Sequence, residues 1–188
     1  PYNYVTSMKT TPSPNPTWKP KNKITLAKES PFVSLNPADM PAQDVYKIII
    51  GSIVPRPIAL ISTVSKEGKG NLAPFSFFNG VSSNPPALMI SISVRPDGTT
   101  KDTLRNIKDT NEFVVNSANR WIIEPLVHTA GEFPSEINEM EEVGLTPLAS
   151  SIVIPPRVKE SAIQFECTRY ADIQIGDGTP GSSTVVVG

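Results

Sequence analysis

From Val45 onward, apolar residues occur in short runs of aliphatic, aromatic and β-branched side chains that are separated by turn residues. Runs of this length and composition are typical of β-strands. We expect at least six strands, among the runs at 58–64, 71–78, 87–94, 113–116, 152–154, 162–175 and 182–187. Ile90, Ile92 and Val94 alternate with serines, which predicts a strand with one buried face. The run at 162–175 is long enough to bend around a barrel corner.

Helical periodicity is confined to short segments. Thr99-x-x-Asp102 has the capping-box pattern and precedes Leu104, so a helix should begin there. A second helix is expected at 118–129, bent or shortened by Pro125, and a further helical turn at 139–143. Neighbouring strands joined by tight turns favour an antiparallel barrel over a Rossmann sheet. The pattern therefore predicts a mainly β protein with short helices.

The N-terminal part of the chain has a different composition. Residues 1–41 hold 8 of the 20 prolines, and residues 1–30 carry five lysines against Glu29. The segment 11–20 reads TPSPNPTWKP, which favours an extended polyproline II conformation. We therefore expect a Pro-rich basic arm at 1–41 and one domain at 42–188. The alternatives are a proline-rich ligand for a partner, or an arm held to the domain by Trp18.

The other end of the chain carries the β-branched run at 182–187 and stops one residue later, at Gly188. A strand normally needs a partner and a following turn. We therefore expect the native protein to continue beyond Gly188, so that the domain is truncated there.

The composition narrows the functional classes. The chain has 188 residues, with 17 basic and 18 acidic side chains, so no net field attracts nucleic acid or an anionic membrane. No apolar run approaches the roughly 18 residues of a membrane helix. A single cysteine, Cys167, and a single histidine, His128, exclude a disulfide framework and a His/Cys zinc site. We expect no metal and a reducing, cytoplasmic location.

The segment 98–103 is a candidate anion site. A helix N-terminus presents free N–H groups and partial positive charge, and hydroxyls and cations surround this one. The candidate residues are Arg95, Thr99, Thr100, Lys101 and Thr103. The alternative is an ordinary helix cap with a solvated lysine.

The phenylalanine-rich segment 73–79 is a second candidate. In a strand, Phe75 and Phe77 would share one face, with Ser76 and Phe78 on the other. One face could pack in the core while Ser76 meets a flat ring; an ordinary core strand is the alternative. His128 either caps a helix at the surface or handles a ligand or proton.

Two further signals favour structural roles. Residues 176–181 match the letters of the dinucleotide fingerprint G-x-G-x-x-G, but strand residues follow instead of a helix, so a hairpin loop is expected. Cys167 lies within a strand run and is expected to be a buried, unreactive thiol.

An ordered series of segments resembles the flavin reductase-like, FMN-binding split-barrel family, in particular its flavoredoxin-like branch. The match runs from about Val45 to Gly188. Its segments are VPRPIALIST at 54–63, NLAPFSFF at 71–78, NPP at 84–86, KDT at 101–103, FVVN at 113–116, GEFP at 131–134 and GLT at 144–146.

The resemblance implies an antiparallel split β-barrel that binds FMN noncovalently, usually as a homodimer with NAD(P)H as co-substrate. It places the segment from Phe75 through Ser76 and Phe77 to Asn79 along the flavin ring. The phosphate would then lie against Arg95, Thr100, Lys101 and Thr103. Asn116, His128 and Arg56 would approach the flavin.

Three functions are considered, of which the first two follow from this resemblance and the third is a rival of another class. The first is an oxidoreductase in which hydride passes from NAD(P)H to flavin and electrons pass to an unknown acceptor. The second is a flavin-binding electron-transfer protein without nicotinamide turnover. The third is a cofactor-free β-barrel interaction module that uses its Pro-rich arm.

Overall fold

The computed structural model describes residues 11–24 and 31–188. It divides the chain into two units, with the boundary between Met40 and Pro41. Parts of the predicted N-terminal arm, residues 1–10 and 25–30, lie outside the described residues. Among the described residues, no helix is both long and apolar enough to cross a membrane.

The second unit contains four α-helices and ten strands within the described range. The helices are α1 (Ala42–Ser52), α2 (Asp102–Thr110), α3 (Ile123–His128) and α4 (Glu139–Glu142). The first strands are β1 (Ala59–Val64), β2 (Gly70–Phe75), β3 (Phe78–Ser83), β4 (Pro86–Ser93) and β5 (Glu112–Ser117). The remaining strands are β6 (Pro147–Leu148), β7 (Arg157–Val158), β8 (Gln164–Thr168), β9 (Ala171–Ile175) and β10 (Ser183–Val187).

The strands form two four-stranded antiparallel sheets, in the orders β2-β1-β5-β8 and β3-β4-β10-β9, while β6 and β7 pair alone. The two larger sheets do not join into one closed hydrogen-bonded barrel. The prediction of an antiparallel split β-barrel is therefore confirmed.

The chain passes from the first sheet to the second at two corners. At Ser76 and Phe77 it leaves β2 and begins β3, so the prediction of one strand at 71–78 is wrong. At Arg169 and Tyr170 it leaves β8 and begins β9. The predicted single strand at 162–175 is thus two strands. The expected bend lies between them, because β8 belongs to the first sheet and β9 to the second.

The two sheets differ in how they are covered. In the first sheet, Leu60 packs on the α3 and α4 side, while its neighbour Ile61 packs between the sheets, and both are fully buried. This explains the unbroken apolar run of β1. In the second sheet, Ile90 and Ile92 are buried while the intervening Ser91 is half-buried, as the alternation predicted.

The helices show where local sequence and tertiary context disagree. Helix α1 was not predicted, because its Ile48 and Ile49 are β-branched and favour strands when considered locally. Helix α2 begins later than the capping box predicts, with Lys101 as N-cap. The Thr99 hydroxyl donates instead to the Asp97 carboxylate, over 2.7 Å.

The predicted helix at 118–129 occurs as a 3-10 turn, Arg120–Ile122, followed by α3. Pro125 lies in the first turn of α3, where a missing N–H costs little. The expected helical turn at 139–143 corresponds to α4.

The predicted strand at 152–154 is wrong. These residues form bends, and carboxylates hold their backbone: Glu166 accepts from the N–H of Ile152 over 2.7 Å, and Glu112 accepts from that of Ile154 over 2.8 Å. Ile152 and Ile154 are consequently exposed. The short pair β6–β7 was not predicted.

In the first unit, residues 11–24 contain two tight turns rather than an uninterrupted extended helix, so that prediction is wrong. Trp18 N–H donates to the Asn15 carbonyl, and Asn22 N–H donates to the Lys19 carbonyl. Lys21 has a φ of 75°, which suits the position after Pro20 in a type II turn. The Trp18 indole N–H donates to the Asn22 carbonyl, and its ring is half exposed.

Candidate functional site

The turn after β4 brings Arg95 against the beginning of α2. Arg95 Nη1 donates to the Thr100 carbonyl over 2.6 Å, and Nη2 donates to Asp102 Oδ2 over 2.8 Å. The backbone closes through bonds between Arg95 and Thr99 and between Gly98 and Arg95, and Gly98 has a φ of 84°. The local sequence therefore folds the cation back onto the helix start.

Lys101 is the second cation at this place. Its Nζ lies 5.7 Å from the centre of the Phe75 ring, which is close enough for a cation–π contact. Burial and then the nearby Arg95 charge lower the pKa of Lys101, while Glu132 acts in the opposite direction. Two cations and the N-terminus of a nine-residue helix thus share one small region. This charge arrangement favours an anion.

Thr103 has a structural position. It is 1% exposed, and its hydroxyl accepts from Asn71 Nδ2 over 3.0 Å. The same Asn71 amide donates to Thr63, which also accepts from Asn106. This buried polar network attaches the first turn of α2 to β1 and β2. Thr100, by contrast, is exposed at the turn.

The corner at Ser76 and Phe77 is the second part of the candidate site. Arg56 Nε donates to Ser76 Oγ over 3.2 Å, and its Nη1 donates to the carbonyls of Ile50 and Ile53 at the end of α1. Phe77 meets Tyr46 of α1 edge to face, with the ring centres 6.4 Å apart. Arg56 therefore connects the corner to a helix C-terminus, which favours a cation.

Phe75 links the two parts of the site. It is the last residue of β2, its ring lies below Lys101, and the next residue in the chain is Ser76. Asn79 is farther along, exposed on β3, and its side-chain oxygen accepts from Gly80 N–H. The expected alternation of Phe75 and Phe77 on one strand face does not occur, because Phe77 lies in the corner.

Asn116 does not join this cluster. It is fully buried, donates to the Leu60 carbonyl over 3.0 Å and to Ser62 Oγ over 3.4 Å, and accepts from Val158 N–H over 2.7 Å. Its amide thus connects β1, β5 and β7.

His128 lies apart from the cation cluster as well. It is exposed at the end of α3 and meets Phe133 edge to face, with ring centres 5.6 Å apart. It lines a shallow groove of about 530 Å³ together with Ile123, Glu124, Val127 and Gly131. None of the other predicted flavin-contacting residues lines this groove.

Two acidic side chains have contacts that the sequence did not predict: Asp102 was expected only in the capping box, and Glu139 only in a helical turn. Asp102 lies between Arg95 and Arg105, and although burial would raise its pKa, the hydrogen bond from Arg95 and the charge of Arg105 hold that pKa below its usual value. Glu139 accepts from Leu72 N–H over 2.9 Å. Burial raises the pKa of Glu139. Arg105, three residues after Asp102, could have indicated an ion pair on the helix, and Arg95 lies seven residues before it.

The residues present fit a phosphorylated flavin. Arg95 and Lys101 would supply positive charge for its phosphate, Phe75 would supply apolar surface, and Ser76 and Arg56 would supply polar groups at the adjacent corner. Cys167 offers no competing chemistry, because burial raises the pKa of its thiol to about 11, as expected for an unreactive cysteine.

Comparison with known proteins gives a consistent result. The sequence model of the flavin reductase like domain matches residues 50–188. An uncharacterized protein of Aquifex aeolicus is 50% identical over 133 residues, which cover 71% of this chain and 68% of that protein.

Solved structures extend the comparison to the fold. Nitrilotriacetate monooxygenase component B from Bacillus cereus has 35% identity and a TM-score of 0.77, covering 84% of this chain and 79% of its own. A protein with a split barrel domain from Shewanella frigidimarina has 25% identity and a TM-score of 0.68, covering 80% and 72% of the two chains.

We predict that Asn116→Ala lowers stability rather than flavin affinity. The substitution leaves the Val158 N–H without its buried acceptor, so the free energy of unfolding should fall by about 1–3 kcal/mol. Denaturant unfolding measures this loss. The matched control is the exposed Asn79→Ala, expected to change stability by less than about 0.5 kcal/mol. A stable Asn116→Ala protein that has lost flavin affinity would contradict the structural role.

Proposed function

Because the chain belongs to the flavin reductase-like family, we propose that it is an FMN-binding oxidoreductase that takes hydride from NAD(P)H and passes electrons to an acceptor. The observation that carries the proposal is the convergence of Arg95 and Lys101 beside Phe75 and the Ser76 corner. A similar protein at 35% identity is a component of a monooxygenase, which supports a redox role.

Residues on the two sides of Phe75 bind different parts of the flavin. A bound flavin supplies the redox chemistry, since its ring accepts hydride and releases electrons. Lys101 and Arg95 hold the phosphate, with the Thr100 segment shaping the turn between them. Ser76 and Arg56 bond the polar edge of the ring system, and Phe75 and Phe77 exclude water from its apolar part. Positive charge from Arg56 favours an anionic ring.

Hydride transfer is distinguished from simple electron transfer by anaerobic reduction. The purified protein loaded with FMN is mixed with NADH and, separately, with NADPH, and visible absorption is followed. We expect the flavin bands to bleach with at least one of the two nicotinamides at a rate well above that of free FMN. A holoprotein that dithionite bleaches and both nicotinamides leave yellow would instead support the electron-transfer function. A protein that takes up no flavin would support the interaction module.

Lys101→Ala tests the assignment of the phosphate end. Loss of a charge-assisted contact should weaken FMN binding by roughly tenfold, while riboflavin binding barely changes. Fluorescence titration with both flavins gives the two dissociation constants. The matched control, Lys108→Ala, removes a cation from the other end of α2, where Lys108 Nζ lies 3.8 Å from Asp172. Equal losses for FMN and riboflavin would reject Lys101 as a phosphate contact.

The proposal includes a homodimer. Helix α1 has no buried residue, and Tyr46, Ile49 and Ile53 are 54%, 41% and 56% exposed along one side of it. Apolar side chains at this spacing are stabilised by burial against another surface. A second copy of the chain would cover them next to the Arg56 corner.

Ile49→Arg tests this interface. A charge within the apolar side of α1 should convert a dimer into a monomer, because an unpaired buried cation opposes association. Light scattering measures the mass. Lys47→Glu, which changes a charge on the exposed opposite side of the same helix, is the control and should remain dimeric. A wild-type protein that is monomeric at all concentrations tested would reject the dimer.

A further inference from the structure

Asp102 is an acidic residue that lies among the cationic side chains of Arg95, Lys101 and Arg105. Its carboxylate accepts from Arg95 Nη2 through one oxygen and from Arg105 through the other. The Asp102 side chain is 14% exposed, against 47% for Arg105 and 24% for Arg95. The better-shielded of the two ion pairs is therefore the one with Arg95.

Arg95 is held at two separate N–H groups. Nη1 donates to the Thr100 carbonyl and Nη2 to Asp102, so the guanidinium is fixed between the turn and the first residue of α2. A free arginine side chain has many rotamers, and ordering it on binding costs conformational entropy. A guanidinium already held in place loses less freedom when a ligand arrives.

Lys101 lies next to this pair without an ion pair of its own among the described residues. Besides burial, the Arg95 charge helps to lower the pKa of Lys101. Arg95 lies in the turn before α2, and Lys101 is the N-cap of that helix. Two cations held near each other repel unless an anion reduces the repulsion. Asp102 offsets part of this repulsion from the protein side and leaves the remaining charge for a ligand.

We propose that Asp102 is a positioning residue that holds Arg95 for the phosphate end of the flavin and so sets the preference for FMN over riboflavin. This inference rests on the proposed function. Asp102 acts through Arg95 and does not itself contact the ligand.

Asp102 could act only through its negative charge or by holding Arg95 in place, and these two roles predict opposite changes in FMN affinity for Asp102→Asn. Removal of a negative charge beside a phosphate site should strengthen FMN binding if Asp102 acts only through its field. If Asp102 holds Arg95 in place, the same substitution releases the guanidinium and weakens FMN binding. Riboflavin lacks the phosphate and should respond to neither effect. The ratio of the two affinities therefore separates positioning from a general loss of stability.

The experiment measures FMN and riboflavin dissociation constants for wild type, Asp102→Asn, Arg95→Gln and the double variant. We expect the FMN preference to fall by about tenfold in Asp102→Asn, the size of one charge-assisted hydrogen bond. In the Arg95→Gln background, the Asp102 substitution should no longer lower the preference. Arg105→Gln, which removes the more exposed partner of Asp102, should keep the wild-type preference. Thermal unfolding confirms that each variant is folded.

An unchanged or increased FMN preference in folded Asp102→Asn overturns the proposal, as does an equal effect of that substitution with and without Arg95. If Asp102→Asn does not fold, Asp102→Ser provides the same comparison, since serine is well tolerated at a helix start. The proposed function fails separately: a wild-type chain that binds FMN and riboflavin equally, or neither, removes the phosphate site itself and the role of Asp102 with it.

Discussion

The two central strands of the first sheet, β1 and β5, are buried on both faces, and this constraint decides where polar chemistry can occur. Leu60 and Ile61, adjacent in β1, point into two different apolar clusters, and both have no exposed surface. Polar side chains within such a sheet must bond internally, as Asn116 does. Groups available to a ligand are therefore displaced to strand ends and to the corners where the chain changes sheets.

The ends of β2 and β4 place such groups near each other. Strand β2 ends at Phe75 just before the Ser76 corner, and the turn after β4 returns Arg95 to the start of α2. The Phe75 ring lies between them, in contact with Lys101 on one side and continuous with the corner on the other. The apolar and charged halves of the candidate site thus follow from one architectural feature, the split between the sheets.

The sequence predicted the part of this arrangement that depends on local pattern. The alternation at Ile90 and Ile92, the hairpin loop at 176–181 and the cation-rich start of α2 can each be inferred from a few neighbouring residues. What it could not predict depends on distant partners. The break after Phe75 is invisible locally, since residues 71–78 are continuously strand-like. Helix α1 overrides the strand preference of its isoleucines, and the role of Asn116 depends on Val158, 42 residues away.

We have proposed that the chain holds FMN at the Phe75 region through its phosphate and ring together. Titration of wild-type protein with FMN, followed by quenching of flavin fluorescence, tests this most directly. We expect saturable quenching with a dissociation constant at or below the micromolar range. Flavin fluorescence that remains unchanged through a large molar excess of folded protein would contradict it.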